Sequence, residues 1–436
     1  MKGSVRVICY CIDMKTFYAS VECAQRHLNP FETDLVVADI TRGENALCLA
    51  ISPKMKARGI HNRCRLSDIP KDIDYEIAPP RMQLYIDYAA AIYGIYLRYF
   101  DAADIHVYSI DEAFIDATSY LKTYHTTPVA FAKFLMNEIA DRLCIPATAG
   151  VGTNLYLAKI ALDITAKHAR DHIGYLDEAI YRETLWDHTP ITDFWQIASG
   201  TANRLAAHGI YTMRGIAGAP ESLLYKLFGV NAELLIDHAY GRESCTMADI
   251  KSYRSQSNSV SFSQILPRDY SFDEARVVMT EMAVNGAREL IRRHVIAKKV
   301  WVGVSYSKGV IPSADKTGKL TRATALVSEL KPAVLAAFDG IARRDVPIRR
   351  LAIAFNDVCD EGCEGYTLFS DFTEIEKERA AERAVLAITE RYGKNAVLRG
   401  VSLKEGATQR ERNEMIGGHR AGYDDPGTKG KAVSSL

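Results

Sequence analysis

Three carboxylates stand where apolar runs stop. Asp13 follows the segment VRVICYCI, and Asp111 and Glu112 form a pair inside IHVYSIDEAFID. A buried, unpaired carboxylate is costly, so acids placed at the ends of apolar strands call for a partner. On a regular strand Asp111 and Glu112 point to opposite faces, whereas in a tight hairpin or at a bulge both can face one side. Gathered with Asp13 at one sheet edge, they offer the hard oxygen ligands that Mg²⁺ takes together with substrate phosphates. Two such ions about 3.5–4 Å apart activate an attacking hydroxyl and neutralise a leaving oxygen. The plainer alternative makes Asp13 a helix cap and the Asp111-Glu112 pair a solvated turn.

The elements that would position these acids can be read from apolar periodicity. Residues 5–12 are apolar on both faces and rich in β-branched side chains, the pattern of a central strand. A helix follows with Val21, Ala24 and Leu28 on one face, and a long helix starts near Arg81. A hairpin spans Ser109 to Ala117, then come a helix (VAFAKFLMNEIADRL), a strand (ATAGVGT) and a helix (NLYLAKIALDITAKHA). This makes one α+β unit through about residue 170. From Trp186 to Tyr240 the pattern is helical in short pieces, and from Gln256 a β-α-β-β-α-β set is expected. Beyond Asp357 the chain reads as loop, with one helix near 374–392 capped by Thr373 and Glu376. The last ~30 residues are polar and glycine-rich, and poor order is expected there.

Composition narrows the class. The 436 residues exceed a single core, and 48% hydrophobic with 25% charged residues is ordinary globular composition. No run is long enough to span a membrane, and the start lacks a signal-peptide pattern. The nine cysteines form no zinc-ribbon spacing, so they are read as reduced thiols of a cytoplasmic protein. Net charge is zero, yet its distribution is uneven: residues 251–357 hold 18 Lys/Arg against 10 Asp/Glu, and 358–391 hold 4 against 9. A basic domain followed by an acidic tail suits a phosphate-bearing partner.

The sequences DMKTFYASVE and YSIDEAF resemble the metal-binding motifs of Y-family (translesion) DNA polymerases, nearest the bacterial UmuC/DinB-type branch (ImpB/MucB/SamB family). The resemblance implies that Asp13 and Asp111 hold two Mg²⁺ ions, that Met14 lends its carbonyl and that Glu112 completes the catalytic ion. It places Phe17 and Tyr18 at the nucleotide, with Tyr18 as the steric gate under the sugar. In the fingers segment AISPKMKARGI, Lys56 falls where an Arg is usual and Pro53 where a Tyr is usual, leaving Lys54 and Arg58 as possible substitutes. Lys167 matches the palm lysine, with one extra residue before it. DFWQIASGTANRLAAHGIYTMRGIA looks like a helix-hairpin-helix, with Gly200 in the turn, a helix from Thr201 to His208 and Thr212 capping the next. Ala198 stands where the motif usually has its first glycine. Such a helix start holds a DNA phosphate without reading sequence.

The implied fold is an α+β right-hand polymerase. Its palm would be 1–22 and 80–170, its fingers 23–79, its helical thumb 171–250, its little finger 251–357 and its acidic tail 358–436. Arg254, Lys298, Lys299, Lys308, Arg349 and Arg350 would line the duplex track. Leu368 and Phe369, in GYTLFSDF, would anchor a sliding-clamp peptide whose usual glutamine is replaced by Gly365. The implied partners are primer-template DNA, a deoxynucleoside triphosphate and the sliding clamp, with no membrane and a monomeric protein. Two other classes compete: a non-catalytic adaptor for DNA and the clamp, and another palm-type two-metal enzyme such as a nucleotidyl cyclase.

Overall fold

The computed structural model describes residues 7–255, 258–307, 310–363, 365 and 371–422. The chain divides into two compact units, one running to Tyr253 and one from Arg254 to Gly422. In the first, strand β1 (Cys9–Met14) is buried except at half-buried Asp13. It runs past the expected end at Ile12, so Asp13 lies inside the strand ladder. Thr16, with φ 46° in the left-handed region, turns the chain into helix α1 (Phe17–Gln25). A small module follows: β2 (Leu35–Val37), β3 (Ala50–Ile51), α2 (Pro53–Ala57) and β4 (Glu76–Ala78). Helix α2 starts where Ser52 accepts from the Met55 amide and Pro53 takes the first position, both preferred there. Val36, Cys48, Ile51 and Met55 form this module's core.

Next come α3 (Met82–Tyr96), β5 (Ile105–Val107), β6 (Glu112–Asp116), α4 (Tyr120–Thr123), α5 (Pro128–Leu143) and β7 (Ala147–Gly152). The helix expected after β7 is divided into α6 (Leu155–Ile160), a π-helical turn over Ala161–Thr165, and α7 (Ala166–His168). A π-turn takes up one residue more than an α-turn, and this is where the sequence carries its extra residue. Strand β8 (Ile173–Leu176) completes a sheet of order β5-β6-β1-β7-β8. β1 is central and antiparallel to both neighbours. Glycines let α6 press onto this sheet: a Cβ on Gly150 would meet the Ala158 carbonyl oxygen at 2.0 Å, and one on Gly152 the Ala158 nitrogen at 2.1 Å. Helices α8 (Glu178–Thr184), α9 (Ser199–Ala206), α10 (Met213–Gly218), α11 (Glu221–Phe228), α12 (Asn231–Ala239) and α13 (Met247–Ser252) follow. Tyr156, Tyr181, Phe194, Leu205 and Met213 form the core of this helical part.

The second unit contains β9 (Ser259–Tyr270), α14 (Phe272–Arg292), β10 (Val295–Tyr306), β11 (Ala314–Thr324), α15 (Val327–Asp339) and β12 (Ile348–Asn356). This is the expected β-α-β-β-α-β order, with strands arranged β11-β10-β12-β9. Val300, Val302, Val304, Ile353 and Phe355 pack with residues of α14 and α15 in one core.

Beyond Asp357 the fold departs from expectation. β13 (Cys359–Asp360) pairs with β10, α16 (Phe372–Tyr392) packs on α14, and α17 (Gln409–Asn413) leads into a hairpin of β14 (Met415–Ile416) and β15 (His419–Arg420). The cap of α16 is Asp371, which accepts from the amides of Thr373 and Glu374, rather than a Thr373-Glu376 box. Buried polar groups fasten the segment. Glu281 accepts from the amides of Thr408 at 2.9 Å and Gln409 at 3.2 Å, and Glu382 pairs with Arg288 at 2.7 Å and with Arg399. Residues 371–422, read from sequence as tail, are therefore part of the C-terminal unit. No helix among the described residues is long and apolar enough to cross a membrane.

Candidate active site

β1 and β6 bring the distant acids together. Asp13 and Glu112 are opposite partners in the antiparallel ladder, and the Met14 amide donates to the Asp111 carbonyl at 3.0 Å. Asp111 lies in the turn before β6 and accepts from the Ser109 hydroxyl at 2.7 Å. Burial pushes the Asp13 carboxyl up to about 7, and repulsion from Asp111 and Glu112 adds to the shift. A cation among these oxygens would relieve that repulsion, so the donor set fits a hard divalent ion. The acids that could hold it are Asp13, Asp111 and Glu112, with the Met14 carbonyl.

Among the described residues, however, no three His, Cys, Asp or Glu side chains form a ready-made metal cluster. Glu112 is already engaged. Lys159 lies 2.8 and 2.9 Å from its two oxygens, and the Cys11 thiol donates to Oε1 at 3.0 Å. Lys159 also pairs with Asp163 at 3.1 Å. Burial alone would lower the Lys159 ammonium, but Cys11, Asp163 and Glu112 outweigh it and hold the group above its usual range. Sequence reading missed this counter-ion, although Lys159 and Asp163 stand four residues apart in a helical stretch, the spacing of a same-face pair. The ladder thus sets Asp13 opposite Glu112 with Asp111 in the adjoining turn, and Glu112 is held by an internal lysine.

Around Asp13 lies a set of cations. Burial lowers Lys56, and the charges of Asp13 and Lys167 act on it; Lys15, lowered first by burial, feels Lys56 and Asp13. Lys56 thus feels both Asp13 and Lys167, and Lys15, which was not among the expected residues, feels Lys56 and Asp13. Lys54 and Arg58 are instead committed to Asp34, at 2.8 and 3.0 Å.

Tyr18 stacks on Tyr85, with ring centroids 4.5 Å apart and planes 17° from parallel. Burial lifts its phenol and the Asp111 charge adds to the rise, which sets the ring near the acids. Phe17 differs: its side chain is buried in the core, so of the aromatic pair Tyr18 alone presents a partly exposed ring.

The remaining expected contacts fare unevenly. Gly200 and Thr201 fall in the first turn of α9, which starts at Ser199 after Ala198, so Gly200 opens the helix instead of preceding it. Thr212 caps α10 by accepting from the Gly215 amide, and Gly209 has φ 75°. In the C-terminal unit strand irregularities fall at two of the expected basic positions. A register shift between Ala297 and Lys299 leaves Lys298 without a ladder partner on β11, and one between Ile348 and Arg350 leaves Arg349 without one on β9. Lys299 pairs with Asp357 at 2.7 Å, Arg349 with Asp269 at 3.9 Å, and Arg350 donates to the Ser263 hydroxyl at 3.4 Å. Arg254 is exposed at the start of the unit. Lys308, Leu368 and Phe369 lie outside the described residues.

With this geometry in place, comparison with known proteins is informative. Residues 12–163 match the impB/mucB/samB family and residues 257–368 its C-terminal domain, together more than half of the chain. The putative UV-damage repair protein UvrX of Bacillus subtilis (strain 168) is 29% identical over 416 residues, covering 94% of this chain and 97% of that protein. DNA polymerase IV 2 of the same organism is 29% identical over 421 residues, covering 94% and 98%. Among solved structures, a Y-family DNA polymerase chimera (Dbh-Dpo4(243-245)-Dbh) superposes with a TM-score of 0.62 at 19% identity, covering 81% of this chain and 99% of the chimera. The chain belongs to the impB/mucB/samB family.

Proposed function

We propose that this protein is a template-directed, low-fidelity DNA polymerase that carries out translesion synthesis. The observation that carries the reading is the register of Asp13 against Glu112, with Asp111 in the adjoining turn, Lys15 and Lys56 acting on Asp13, and Tyr18 acting with Asp111. The reaction is attack of a primer 3′-hydroxyl on the α-phosphate of a deoxynucleoside triphosphate, with release of pyrophosphate. Two Mg²⁺ ions would be held by Asp13, Asp111, Glu112 and the Met14 carbonyl. Bound there, they supply the charge that favours the 3′-alkoxide and offsets the leaving oxygen.

The chain's own residues do the positioning. Lys15, Lys56 and Lys167 bind the triphosphate as point charges, and the start of α1, whose N-cap Thr16 makes no side-chain capping bond, adds an anion site. Asp111, fixed by Ser109 and by the Met14 amide, is held in place before substrate arrives, which is where most of the rate gain arises. Tyr18 lies beneath the sugar and leaves no room for a 2′-hydroxyl. Residues 1–22 and 80–170 act as palm, 23–79 as fingers, 171–250 as thumb and the unit from Arg254 as little finger, with residues 371–422 built into it. The first turn of α9 holds template-primer phosphates, and Lys298, Lys299 and Arg350 contribute to the duplex track. Leu368 and Phe369 supply the anchors for a sliding clamp, and the protein works as a monomer in the cytoplasm.

A non-catalytic adaptor or a nucleotidyl cyclase is less well supported: the first has no use for three converging acids, the second none for the basic C-terminal unit. Primer extension on undamaged and abasic templates with Mg²⁺ tests the reading. Wild type is expected to extend across the abasic site and Asp111→Ala to extend neither template. Failure of the wild type to pass an abasic site would sink the translesion assignment.

A further inference from the structure

The polar network beneath Tyr18 is larger than a core position requires. Glu22 sits one turn after Tyr18 on α1 and is fully buried, a rare place for a carboxylate unless it is paired. Its Oε1 accepts from the Tyr85 hydroxyl at 2.7 Å and from Nε of Arg81 at 3.0 Å. Its Oε2 accepts from Nη2 of Arg81 at 2.6 Å and from Nη1 of Arg26. Arg26 donates in addition to the Glu22 carbonyl at 3.0 Å. Arg81 directly precedes α3 and Tyr85 lies in its first turn, so the two-pronged guanidinium contact and the phenol pin α1 to α3. Tyr85 is itself fully buried. Its ring is the surface against which Tyr18 lies flat.

We propose that the Arg81–Glu22–Tyr85 clamp sets the sugar selectivity of the site by fixing the plane of the Tyr18 ring. The inference rests on Tyr18 lying beneath the incoming sugar. A ring held against an immobile neighbour cannot turn aside for a 2′-hydroxyl. Once Tyr85 is released from Glu22, or removed, the Tyr18 side chain gains rotational freedom and the ribose fits. Arg81, Glu22 and Tyr85 are thus positioning residues: they act on the substrate through Tyr18 and touch neither the phosphates nor the reacting atoms. Loosening the clamp raises the use of ribonucleotides relative to deoxynucleotides, whereas a merely structural role lowers the use of both alike.

The test is the ratio of kcat/KM for a deoxynucleoside triphosphate to that for the matching ribonucleoside triphosphate, measured in the full-length protein. Tyr18→Ala is expected to collapse this ratio. Tyr85→Leu, which removes the stacking surface, should lower it roughly tenfold or more. Tyr85→Phe, which keeps the ring and deletes only the hydroxyl, should lower it by roughly three- to tenfold. Glu22→Gln and Arg81→Lys should follow Tyr85→Phe, since a lysine cannot reproduce the two-pronged contact. A 2′,3′-dideoxynucleotide serves as control: lacking the 2′-hydroxyl, it should keep its wild-type efficiency relative to the deoxynucleotide. If Glu22→Gln does not fold, the Tyr85 pair decides. Should Tyr18→Ala lose selectivity while Tyr85→Leu and Tyr85→Phe keep the wild-type ratio, the clamp is only structural and the proposal is overturned. Should Tyr18→Ala itself keep the ratio, the placement of Tyr18 under the sugar fails, and the proposal with it.

Discussion

The C-terminal unit and the surroundings of Asp13 in the first unit treat buried carboxylates in opposite ways. In the C-terminal unit Glu281 is satisfied by two backbone amides and Glu382 by two arginines. In the first unit Asp13 faces Asp111 and Glu112, and burial with that repulsion drives its carboxyl up to about 7. A buried acid with its hydrogen bonds complete is architecture. A buried acid set against like charge marks a site arranged for something that arrives later. The difference separates structural from functional acids better than burial does.

The comparison breaks most visibly at the counter-ions. Lys159→Met leaves Glu112 and Asp163 without their shared cation, and Glu382→Ala leaves Arg288 without its acid. Each is expected to cost about 3–5 kcal/mol in denaturant unfolding, as for a broken buried pair. A loss under ~1 kcal/mol at either position would show that water replaces the partner there. Asp111→Asn should do the reverse. By removing repulsion on Asp13 it is expected to raise stability by about 1 kcal/mol in cation-free buffer while abolishing synthesis, the usual exchange of stability for function.

The pH dependence sharpens the same contrast. The Asp13 carboxyl is lifted from 3.8 to about 7 on folding, so the folded chain holds a proton that the unfolded chain has released. Its contribution is complete below about pH 4 and is lost as pH rises toward 7. Unfolding of Asp13→Asn across that window, without divalent cations, should lack this loss; an identical profile would mean that Asp13 is not the group responsible. The smallest effect belongs to the exposed cations of the C-terminal unit. Lys299→Ala should barely alter stability, since exposed pairs contribute little. It should weaken duplex binding whatever the sequence and reduce the slope of log affinity against log salt by about 1.

Much of this site could be read in the sequence, because Asp13 and the Asp111-Glu112 pair break apolar runs and the strands holding them are strongly patterned. The β-α-β-β-α-β unit was legible for the same reason. The partners were not. Lys159 reaches Glu112 only because Gly150 and Gly152 let α6 lie against β7, a tertiary closeness that no local pattern reports. The role of the extra residue before Lys167 appears only in the π-turn of the folded helix. Residues 371–422 read as acidic tail because Glu281 and Glu382, which anchor them, find their partners 127 and 17 residues away along the chain. The strand irregularities at 297–299 and 348–350, which leave Lys298 and Arg349 out of register, were likewise invisible in the alternation of apolar and polar residues.

The proposed function requires Asp13, Asp111 and Glu112 to act together on a nucleotide while the rest of the fold holds DNA. Single-turnover incorporation of one deoxynucleotide by Asp111→Asn, measured beside its affinity for the same primer-template, tests it most directly. The rate is expected to fall by roughly a thousandfold or more with DNA affinity unchanged. Incorporation at near the wild-type rate, or a loss explained entirely by weaker DNA binding, would contradict it.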